Sequence, residues 1–468
     1  MKAITIRAPA VAGALAMICT LARGEEVALP LPLAEPWARI AVAPESMPPP
    51  SGTSVEKMPV ALAEKPFTLA EAEMQATAFH PALKAAGARV RAARGNWVQV
   101  GLQPNPEIGY SGSEIGNDGR AGQQGGFVSQ EIVRGNKLEL NRAVAAREQA
   151  EAETRVEITR WQVVTTVRKS YFELLAAERS LALARQLNEI ATQSVSVSQR
   201  RLQAMDVPKT SLLQSQIESE SAALLEQQAT ERVAAARRRL AAALGAPDRQ
   251  FGNLEDVFSQ PLPELSYETV RDRLAADSPE LAEFRVAVER ARWAVARATA
   301  GRKQNVNVQA GVQYDNATED PIANVQLSMP IPLYDRNQGA IAQACGELAA
   351  AQAALEARQI AIDQRLAAAL RDYQTARERV SKYTDKILPA AKETLELINT
   401  GYRQGELDYT QVYNVQQTYA AKNLSYLQDL QTAWQRWAEI DGFLVGDLAS
   451  DSGAEPVQIQ ENVVERRF

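Results

Sequence analysis

The chain repeats its own pattern after roughly 200 residues, and this duplication limits the folds open to it more than any other feature. His80-Pro81-Ala82-Leu83 has a counterpart in Ser278-Pro279-Glu280-Leu281, displaced by 198 residues. Val128-Ser129-Gln130-Glu131-Ile132 matches Leu327-Ser328-Met329-Pro330-Ile331, displaced by 199 residues. An ordered series of matches at a nearly fixed offset indicates two copies of one structural unit, related by a pseudo-twofold axis.

Each half predicts the same order of elements: a helix after a proline, two short strands, a very long helix, a turn and a shorter helix. The composition is rich in Ala, Gln, Glu, Arg and Leu, with only 6% aromatic residues, which favours long helices. The long helices are predicted at Lys137–Ala204 and Asn337–Gln404, roughly 100 Å each at 1.5 Å per residue. Apolar residues alternate by three and four along them, as at Leu366, Leu370 and Tyr373, which is the spacing of a coiled-coil seam.

These patterns divide the chain into six regions. The N-terminus combines a basic start with a short apolar run and small residues, which predicts a secretory signal peptide, and so many prolines follow that an extended tether is expected. The predicted regions are the signal peptide 1–24, the Pro-rich tether 25–66, the first repeat 67–250 with strand pair 104–133 and helical hairpin 137–245, the linker 251–265, the second repeat 266–447 with strand pair 305–331 and helical hairpin 337–446, and the polar tail 448–468.

The strand pair of the second repeat predicts a hairpin with one apolar and one polar face, because the two residue types alternate along both strands. Strands of about ten residues have the length that a tilted membrane strand requires. The first-half hairpin alternates less regularly. The predicted outward, apolar face consists of Val306, Val308, Val312, Tyr314, Val325, Leu327 and Met329. The predicted lumen face consists of Asn305, Asn307, Gln309, Gln313, Asn324 and Gln326.

Two interpretations of the hairpins remain open on periodicity alone. Each hairpin is either a small soluble cap on a coiled coil or part of a membrane barrel. Four strands per chain cannot close a membrane barrel, whose minimum is about eight, so closure requires several chains, and three would supply twelve strands. The sequence does not itself count the chains.

Two motifs resemble those of a known family. The stretch Ser328-Met329-Pro330-Ile331-Pro332-Leu333-Tyr334-Asp335-Arg336-Asn337-Gln338-Gly339 and the turn Tyr402-Arg403-Gln404-Gly405-Glu406-Leu407 are similar to segments of the outer membrane efflux proteins, the TolC-like outer membrane factors. The first motif is similar to the strand-to-helix junction of the subgroup that serves heavy-metal efflux systems. Together with the duplication, the resemblance covers the chain from Thr68 to Gly446.

The resemblance implies a mainly α fold with a small β part. Long antiparallel coiled-coil hairpins would form a periplasmic tunnel, and four strands per chain would contribute to a twelve-stranded β-barrel in a homotrimer. It also implies contact with outer-membrane lipid, with a periplasmic adaptor and with an inner-membrane pump of the RND type or a related class. The hairpin turns would form the periplasmic entrance and the adaptor-docking surface. The residues assigned to these turns are Arg201, Leu202, Ala204, Met205, Asp206, Tyr402, Gly405, Glu406, Leu407 and Asp408.

The turns depart from the family pattern at two places. Ala204 is aligned with the usual turn glycine, so we expect the two hairpin ends to differ. The acidic residue that family members often carry past each turn is absent, and Asp206, Glu406 and Asp408 lie nearby instead. We hypothesise that three copies of these acids form an electronegative entrance that favours cations, although solvated turn residues are the simpler interpretation.

Catalysis, nucleic-acid binding and resident metal are not predicted. The chain has one histidine, His80, which is best placed to cap the helix that begins at Pro81, and no acid–base constellation accompanies it. Cys19 belongs to the signal peptide, where Ile18 makes lipidation unfavourable, and Cys345 then has no partner for a disulfide. A net charge of −6 with interspersed signs gives no footprint for nucleic acid. We expect no enzyme activity and no cofactor.

The sequence therefore predicts the outer-membrane channel of a tripartite efflux or secretion system in a Gram-negative-type bacterium. Substrate would be delivered by an inner-membrane pump and a periplasmic adaptor, and would leave passively. Metal cations are the favoured substrate, on the junction motif alone. The alternative is a periplasmic coiled-coil adaptor or structural protein that never enters the membrane.

Overall fold

A computed structural model describes residues 66–116, 121–404, 406–407 and 409–445, apart from the side chains of 409 and 410. The predicted signal peptide, almost all of the tether, the C-terminal tail, Gly405 and Asp408 lie outside the described residues. The first repeat contains α1 (Leu69–Phe79), α2 (Pro81–Gln99), β1 (Glu107–Ser113), β2 (Gln123–Ile132), α3 (Lys137–Gln203) and α4 (Lys209–Ala243). The second contains α5 (Tyr267–Asp277), α6 (Pro279–Ala300), β3 (Val306–Asp315), β4 (Asp320–Ser328), α7 (Gln338–Lys382), α8 (Leu388–Gln404) and α9 (Tyr409–Asp441).

Capping residues fix where the helices of each repeat begin. Thr68 and Glu71 form the capping box of α1, each side chain accepting a hydrogen bond from the other's backbone N–H at 3.1 Å. Ser266 accepts from the Thr269 N–H at the corresponding start of α5. His80 caps α2, as predicted, because its Nδ1 accepts from the Ala82 N–H at 3.2 Å. Pro81 and Pro279 occupy the first helical positions, where no N–H is needed.

His80 makes the capping of α2 sensitive to pH. Its Nδ1 accepts a hydrogen bond only while unprotonated, and burial lowers the pKa of His80 below 6.5. Because the unfolded chain then binds the proton more readily than the folded one, this contribution to stability is present above pH 6.5 and is lost as the pH falls below that value. We expect His80→Asn, which keeps the cap, to remove pH dependence between pH 7 and 5. Chemical unfolding at pH 7 and at pH 5 measures the free energy of unfolding of both proteins. If His80→Asn lost as much stability as the wild type between the two pH values, the prediction would be contradicted.

The long helix of the second repeat is interrupted, whereas that of the first is continuous. Residues Tyr383–Ile387 form a π-helical turn between α7 and α8, where one unbroken helix was predicted. Pro389 explains the difference, because it has no N–H to donate to the carbonyl of Asp385 and its ring crowds that carbonyl. In the described part of the chain, no helix is both long enough and apolar enough to cross a membrane.

The core lies where the long helices meet the shorter ones, and it joins the two repeats. Along α3, the predicted seam is buried at Val164, Val167, Tyr171, Leu174 and Leu181. The end of α9 packs into the core of the first repeat through Leu430, Trp434 and Ala438 and into that of the second through Ala433 and Ile440. Helices α2 and α4 both pack along α3.

Two buried tyrosines hold the segments outside the long helices against them. The Tyr171 hydroxyl donates to the carbonyl oxygens of Phe67 and Glu255, and that of Tyr373 donates to the carbonyl of Pro263. Burial raises the pKa of Tyr171 and raises that of Tyr373 to about 12. Both hydroxyls therefore remain protonated donors, at equivalent places in the two repeats.

Candidate functional site: a two-faced sheet and the hairpin ends

The four strands form one antiparallel sheet in the order β1-β2-β3-β4, so the two predicted hairpins join edge to edge. Both strand pairs are shorter than predicted, and in the second the difference lies at each end. Asn305 precedes β3, and β4 ends at Ser328, where Asn307 is its partner. Met329 therefore lies one residue beyond the sheet. The reason is Pro330, which has no N–H to continue the ladder of hydrogen bonds.

One face of the sheet is apolar and exposed. Val308 pairs with Leu327, Ala310 with Val325, and the next strand adds Val128 opposite Ala310, so the register places these side chains together. This inverts the usual arrangement, in which the apolar face of a sheet is the covered one. The large apolar side chains that are exposed on this face are Ile108, Tyr110, Val128, Ile132, Val312, Tyr314, Val325 and Leu327.

The opposite face is polar, and its side chains bond to one another across the strands. Asn324 of β4 donates to Gln313 of β3, and Gln313 donates to Ser111 of β1, both at 2.8 Å. Gly125 of β2 lies between Gln313 and Ser111 in the register and has no side chain to intervene. Ser129 donates to Asn307 at 2.8 Å, completing a second cross-strand contact.

The register groups the side chains of the second hairpin into the two sets that the alternation predicted. Two apolar residues that the pattern did not assign also lie on the polar face. Asn307, Gln309, Gln313, Asn324 and Gln326 share the polar face, together with Ile322 and Phe127. The first hairpin alternates less regularly because Phe127 lies on the polar face and Gln124 and Gln130 lie on the apolar face. Val306, Val308, Val312, Tyr314, Val325 and Leu327 share the apolar face.

Both outer edges of the sheet lack a strand partner within the described residues. β1 pairs only with β2, and β4 pairs only with β3. Unpaired N–H and C=O groups along an edge accept a further strand. Because one edge is β1 and the other is β4, copies of the chain can pair β4 to β1 in series.

The hairpin end between α3 and α4 is closed by a Schellman motif. The Asp206 N–H donates to the Arg201 carbonyl at 2.9 Å, and the Met205 N–H donates to the Leu202 carbonyl at 3.0 Å. Met205 is left-handed, with φ +60°, and its side chain is 93% exposed. Ala204 has φ −77° and is right-handed.

The alignment that set Ala204 against the turn glycine is therefore wrong by one residue. In the second hairpin, the Glu406 N–H donates to the Gly401 carbonyl at 3.0 Å, which makes Glu406 equivalent to Asp206. The offset at the turns is 200 residues, and Met205 is the counterpart of Gly405. The difference between the two ends is consequently a left-handed methionine in the first.

Met205→Gly is expected to stabilise the first hairpin end by about 1 kcal/mol, because a left-handed conformation costs a residue with a Cβ roughly that amount. Hydrogen exchange at the Asp206 and Met205 amides should slow about fivefold as a result. Ala204→Gly is the matched control, and it should accelerate exchange, because that position is right-handed. If exchange slowed in Ala204→Gly and not in Met205→Gly, Ala204 would be the residue equivalent to the turn glycine.

Tyr402 holds the two hairpin ends together. Its ring is buried, its hydroxyl lies 3.1 Å from the Ser198 Oγ, and the Arg201 guanidinium lies 5.2 Å from the ring centroid. Leu407 packs against Gly401 on the same helix end. A groove of about 580 Å³ runs between the ends of α3 and α8 and is lined partly by Arg200, Arg201 and Arg403.

The acids of the turns follow these arginines within six residues along the chain. Asp206 and Glu406 are exposed, and Leu202 and Leu407 are half-buried beside them. The predicted electronegative entrance stays a hypothesis. Within the described ranges, no group of three or more His, Cys, Asp or Glu side chains is placed to hold a metal ion.

Sequence reasoning missed the residues whose partners lie far along the chain. Arg134, which is 195 residues from Met329, donates from Nη1 to its sulfur at 3.5 Å, and Lys137 donates to Asn305 at 2.8 Å. No local pattern marks such pairs. The pseudo-twofold pairing of β2 with β3 was the one available signal, because it brings residues near 134 and 305 to one end of the sheet.

Each repeat contributes one strand pair to a single sheet with an exposed apolar face, and paired helical hairpins carry this sheet. This combination defines an export-channel architecture. The comparison with protein families agrees: the model for "Outer membrane efflux protein" matches residues 74–246 and 270–444, and the chain belongs to this family. The function predicted from the sequence, the channel component of an efflux system, is confirmed, and the periplasmic coiled-coil alternative is not favoured.

Relatives and solved structures agree with the family. The chain is 25% identical over 398 residues to the cobalt-zinc-cadmium resistance protein CzcC of Cupriavidus metallidurans, covering 84% of this chain and 94% of that one. The fold is similar to that of CusC, with a TM-score of 0.68 and 18% identity over 81% of this chain and 92% of that one. VceC of Vibrio cholerae is likewise similar, with a TM-score of 0.66 and 16% identity over 81% and 96%.

Proposed function

We propose that three copies of the chain close a twelve-stranded barrel in the outer membrane and that their helical hairpins form a tunnel in the periplasm. The observation that carries the proposal is the inverted sheet, whose apolar face is exposed while its polar face is bonded internally. An exposed apolar face of this size is costly in water and favourable in lipid. The two open edges supply the β4-to-β1 pairing that closure needs.

The two faces of the sheet then have separate roles. Val306, Val308, Val312, Tyr314, Val325 and Leu327 face lipid. Asn307, Gln309, Gln313, Asn324 and Gln326 face a water-filled lumen, with Asn305 at its helix-side end, and Met329 follows the lipid-facing side chains at that same end. Cross-strand hydrogen bonds on the polar face support this assignment, since they hold the lining side chains in place without the help of a packed core.

The hairpin ends form the periplasmic entrance and the surface that meets an adaptor. Exposed Met205, Asp206 and Glu406 lie at the far end of the helices from the sheet. Tyr402, bonded to Ser198, restrains one hairpin against the other. An inner-membrane pump of the RND type or a related class would deliver the substrate. CzcC, by name a cobalt-zinc-cadmium resistance protein, supports divalent metal cations as that substrate.

The test is a paired measurement on protein purified from outer membranes in mild detergent. A mass equal to three mature chains, together with stepwise conductance in planar bilayers, is expected. A monomer or dimer recovered from the periplasm without conductance would remove both the barrel and the channel.

The acidic turn residues give a prediction on ion selectivity. In the triple variant Asp206→Asn, Glu406→Gln, Asp408→Asn, we expect the preference for cations over anions to fall by roughly threefold or more, because charge rings at an entrance attract ions of opposite sign. Reversal potentials in a salt gradient measure the change. Asp248→Asn, far from the turns, is the control. An unchanged reversal potential would remove the electronegative entrance while leaving the channel intact.

A further inference from the structure

The helix-side end of the apolar face carries a charge pattern that the channel function does not require. Arg134 follows β2 and is exposed, and its guanidinium contacts the sulfur of Met329 at 3.5 Å. Met329 continues the alternation of Val325 and Leu327 on the apolar face. The contact therefore places a cation at the border of the surface that faces lipid.

Lys303 lies beside Arg134. A Cβ built on Gly135, the next residue after Arg134, would meet the Lys303 side chain at 2.8 Å, so the lysine stem passes over this glycine. Arg302, which precedes Lys303, and Arg336, which follows the segment after β4, are also exposed. Among the described residues, no carboxylate forms an ion pair with any of these four cations.

Two acids at this end lie on the other face, whereas Asp335, which follows Tyr334, accepts a hydrogen bond from the Asn337 N–H at 2.8 Å. Glu131 and Glu107 share the polar face with Ser129 by register, and Glu131 accepts a hydrogen bond from Asn305 at 2.7 Å. The opposite end of the sheet is acidic, with Glu114, Asp315, Glu319 and Asp320. Among the residues that the structure describes at the two ends of the sheet, cations thus border the apolar face at the helix-side end.

An apolar strap completes this border. Residues 329–334, which we call the strap, follow β4 and expose Met329, Ile331, Leu333 and Tyr334, the last at 90%. Pro330 and Pro332 have no N–H, and the Leu333 N–H donates to the Ile331 carbonyl at 2.9 Å. A backbone with few unpaired donors and a side chain such as Tyr334 fit the boundary between hydrocarbon and headgroups.

We propose that Arg134, Lys303 and the strap bind the phosphate headgroups of anionic phospholipids in the membrane leaflet that faces the periplasm. The inference rests on the proposed function, because it presupposes that the apolar face is in lipid. A guanidinium matches phosphate in a bidentate geometry and a lysine supplies a point charge, while the strap covers the upper acyl chains. The occupant is a lipid, because the cations adjoin an apolar face.

The test uses the full-length protein in mild detergent with equimolar phosphatidylglycerol and phosphatidylcholine, and counts retained lipids by native mass spectrometry. Wild type is expected to retain phosphatidylglycerol preferentially. Arg134→Gln with Lys303→Gln should reduce that preference roughly 30-fold, at about fivefold per cation. Arg232→Gln with Arg238→Gln, on exposed positions of α4, removes the same charge and should leave the preference unchanged.

Three results would overturn the proposal. The first is a loss of phosphatidylglycerol preference in the α4 control as large as that in the Arg134→Gln, Lys303→Gln double variant. The second is an unchanged preference in the double variant. The third is loss of the oligomer in the double variant, which would assign the cations to a second copy of the chain. Arg134→Lys keeps the charge and should retain most of the preference for phosphatidylglycerol. This variant controls for the possibility that substitution at Arg134 disturbs the fold. Conductance measured in phosphatidylcholine alone separates this inference from the proposed channel, because the channel should conduct there in all variants.

Discussion

Val325→Arg is expected to remove most of the protein from the outer membrane. Val325 lies near the middle of β4, is 79% exposed, and shares the apolar face with Ala310 and Leu327. An arginine at the midplane of the lipid face of a membrane barrel costs about 2–4 kcal/mol per copy, and three copies carry that cost together. Outer-membrane fractionation, followed by a gel assay for the trimer, measures the loss.

Gln326→Arg is the matched control. Gln326 is the next residue in β4 and points to the polar face, opposite Gln309. An arginine there would face water in the lumen, so insertion should be close to that of the wild type. If the hairpins were instead a soluble cap, arginine at exposed Val325 would cost less than about 0.5 kcal/mol, and the two variants would behave alike.

The elements that the sequence predicted well are those with a strong local period. The second hairpin alternates along both of its strands except at Ile322, and its register groups the residues into the two predicted sets. The long helices follow the three–four spacing of their seams, and α3 ends within one residue of the prediction. Local patterns suffice here because each face of a strand or helix meets a uniform environment.

Each feature that the sequence did not predict depends on one residue that interrupts the local helix or strand pattern. Pro389 produces the π-helical turn in a segment that otherwise follows the helical pattern, and Pro330 ends β4 before the alternation ends. At the first hairpin end, the left-handed position falls on Met205, which no propensity would select. Because a glycine is expected at a left-handed position, the sequence alignment assigns this position to Ala204, the residue before Met205.

Long-range polar contacts were also beyond sequence reasoning. Arg168 joins Glu73 and Asp441 at 2.6 Å each, and Arg273 joins the same aspartate, so one cluster links α1, α3, α5 and α9. The hydrogen bonds of the cluster hold the pKa of Asp441 below its usual range despite burial. The bonded partners are up to 273 positions apart, and no motif connects them.

A second cluster of this kind gives the other large prediction, on stability. Glu280, at the start of α6, has a side chain only 6% exposed, and it pairs with Arg365 at 2.6 Å and with Arg358 at 2.9 Å. Arg365 also donates to the Leu444 carbonyl at 2.8 Å, which ties α7 to the turn after α9. The first repeat has Ala82 at the equivalent place, so the cluster belongs to one repeat alone.

Replacing both arginines, Arg358→Met with Arg365→Met, should lower the free energy of unfolding by about 3–5 kcal/mol, because it leaves a buried carboxylate without a partner. Adding Glu280→Leu removes the stranded charge and should recover most of the loss, since an apolar replacement of a buried ion cluster is often neutral. Arg292→Met, which breaks the exposed pair with Glu289, is the control and should cost less than about 1 kcal/mol.

Chemical unfolding followed by helical circular dichroism orders the four proteins. The double variant should be the least stable, and the triple variant should lie close to the exposed-pair control. If the triple variant were as unstable as the double, the arginines would act through packing and through the Leu444 contact, and the charge of Glu280 would contribute little. The stability that the triple variant recovers over the double variant therefore decides the question. It shows whether an electrostatic cluster, present in one of the two repeats, holds the end of α9 against α6 and α7.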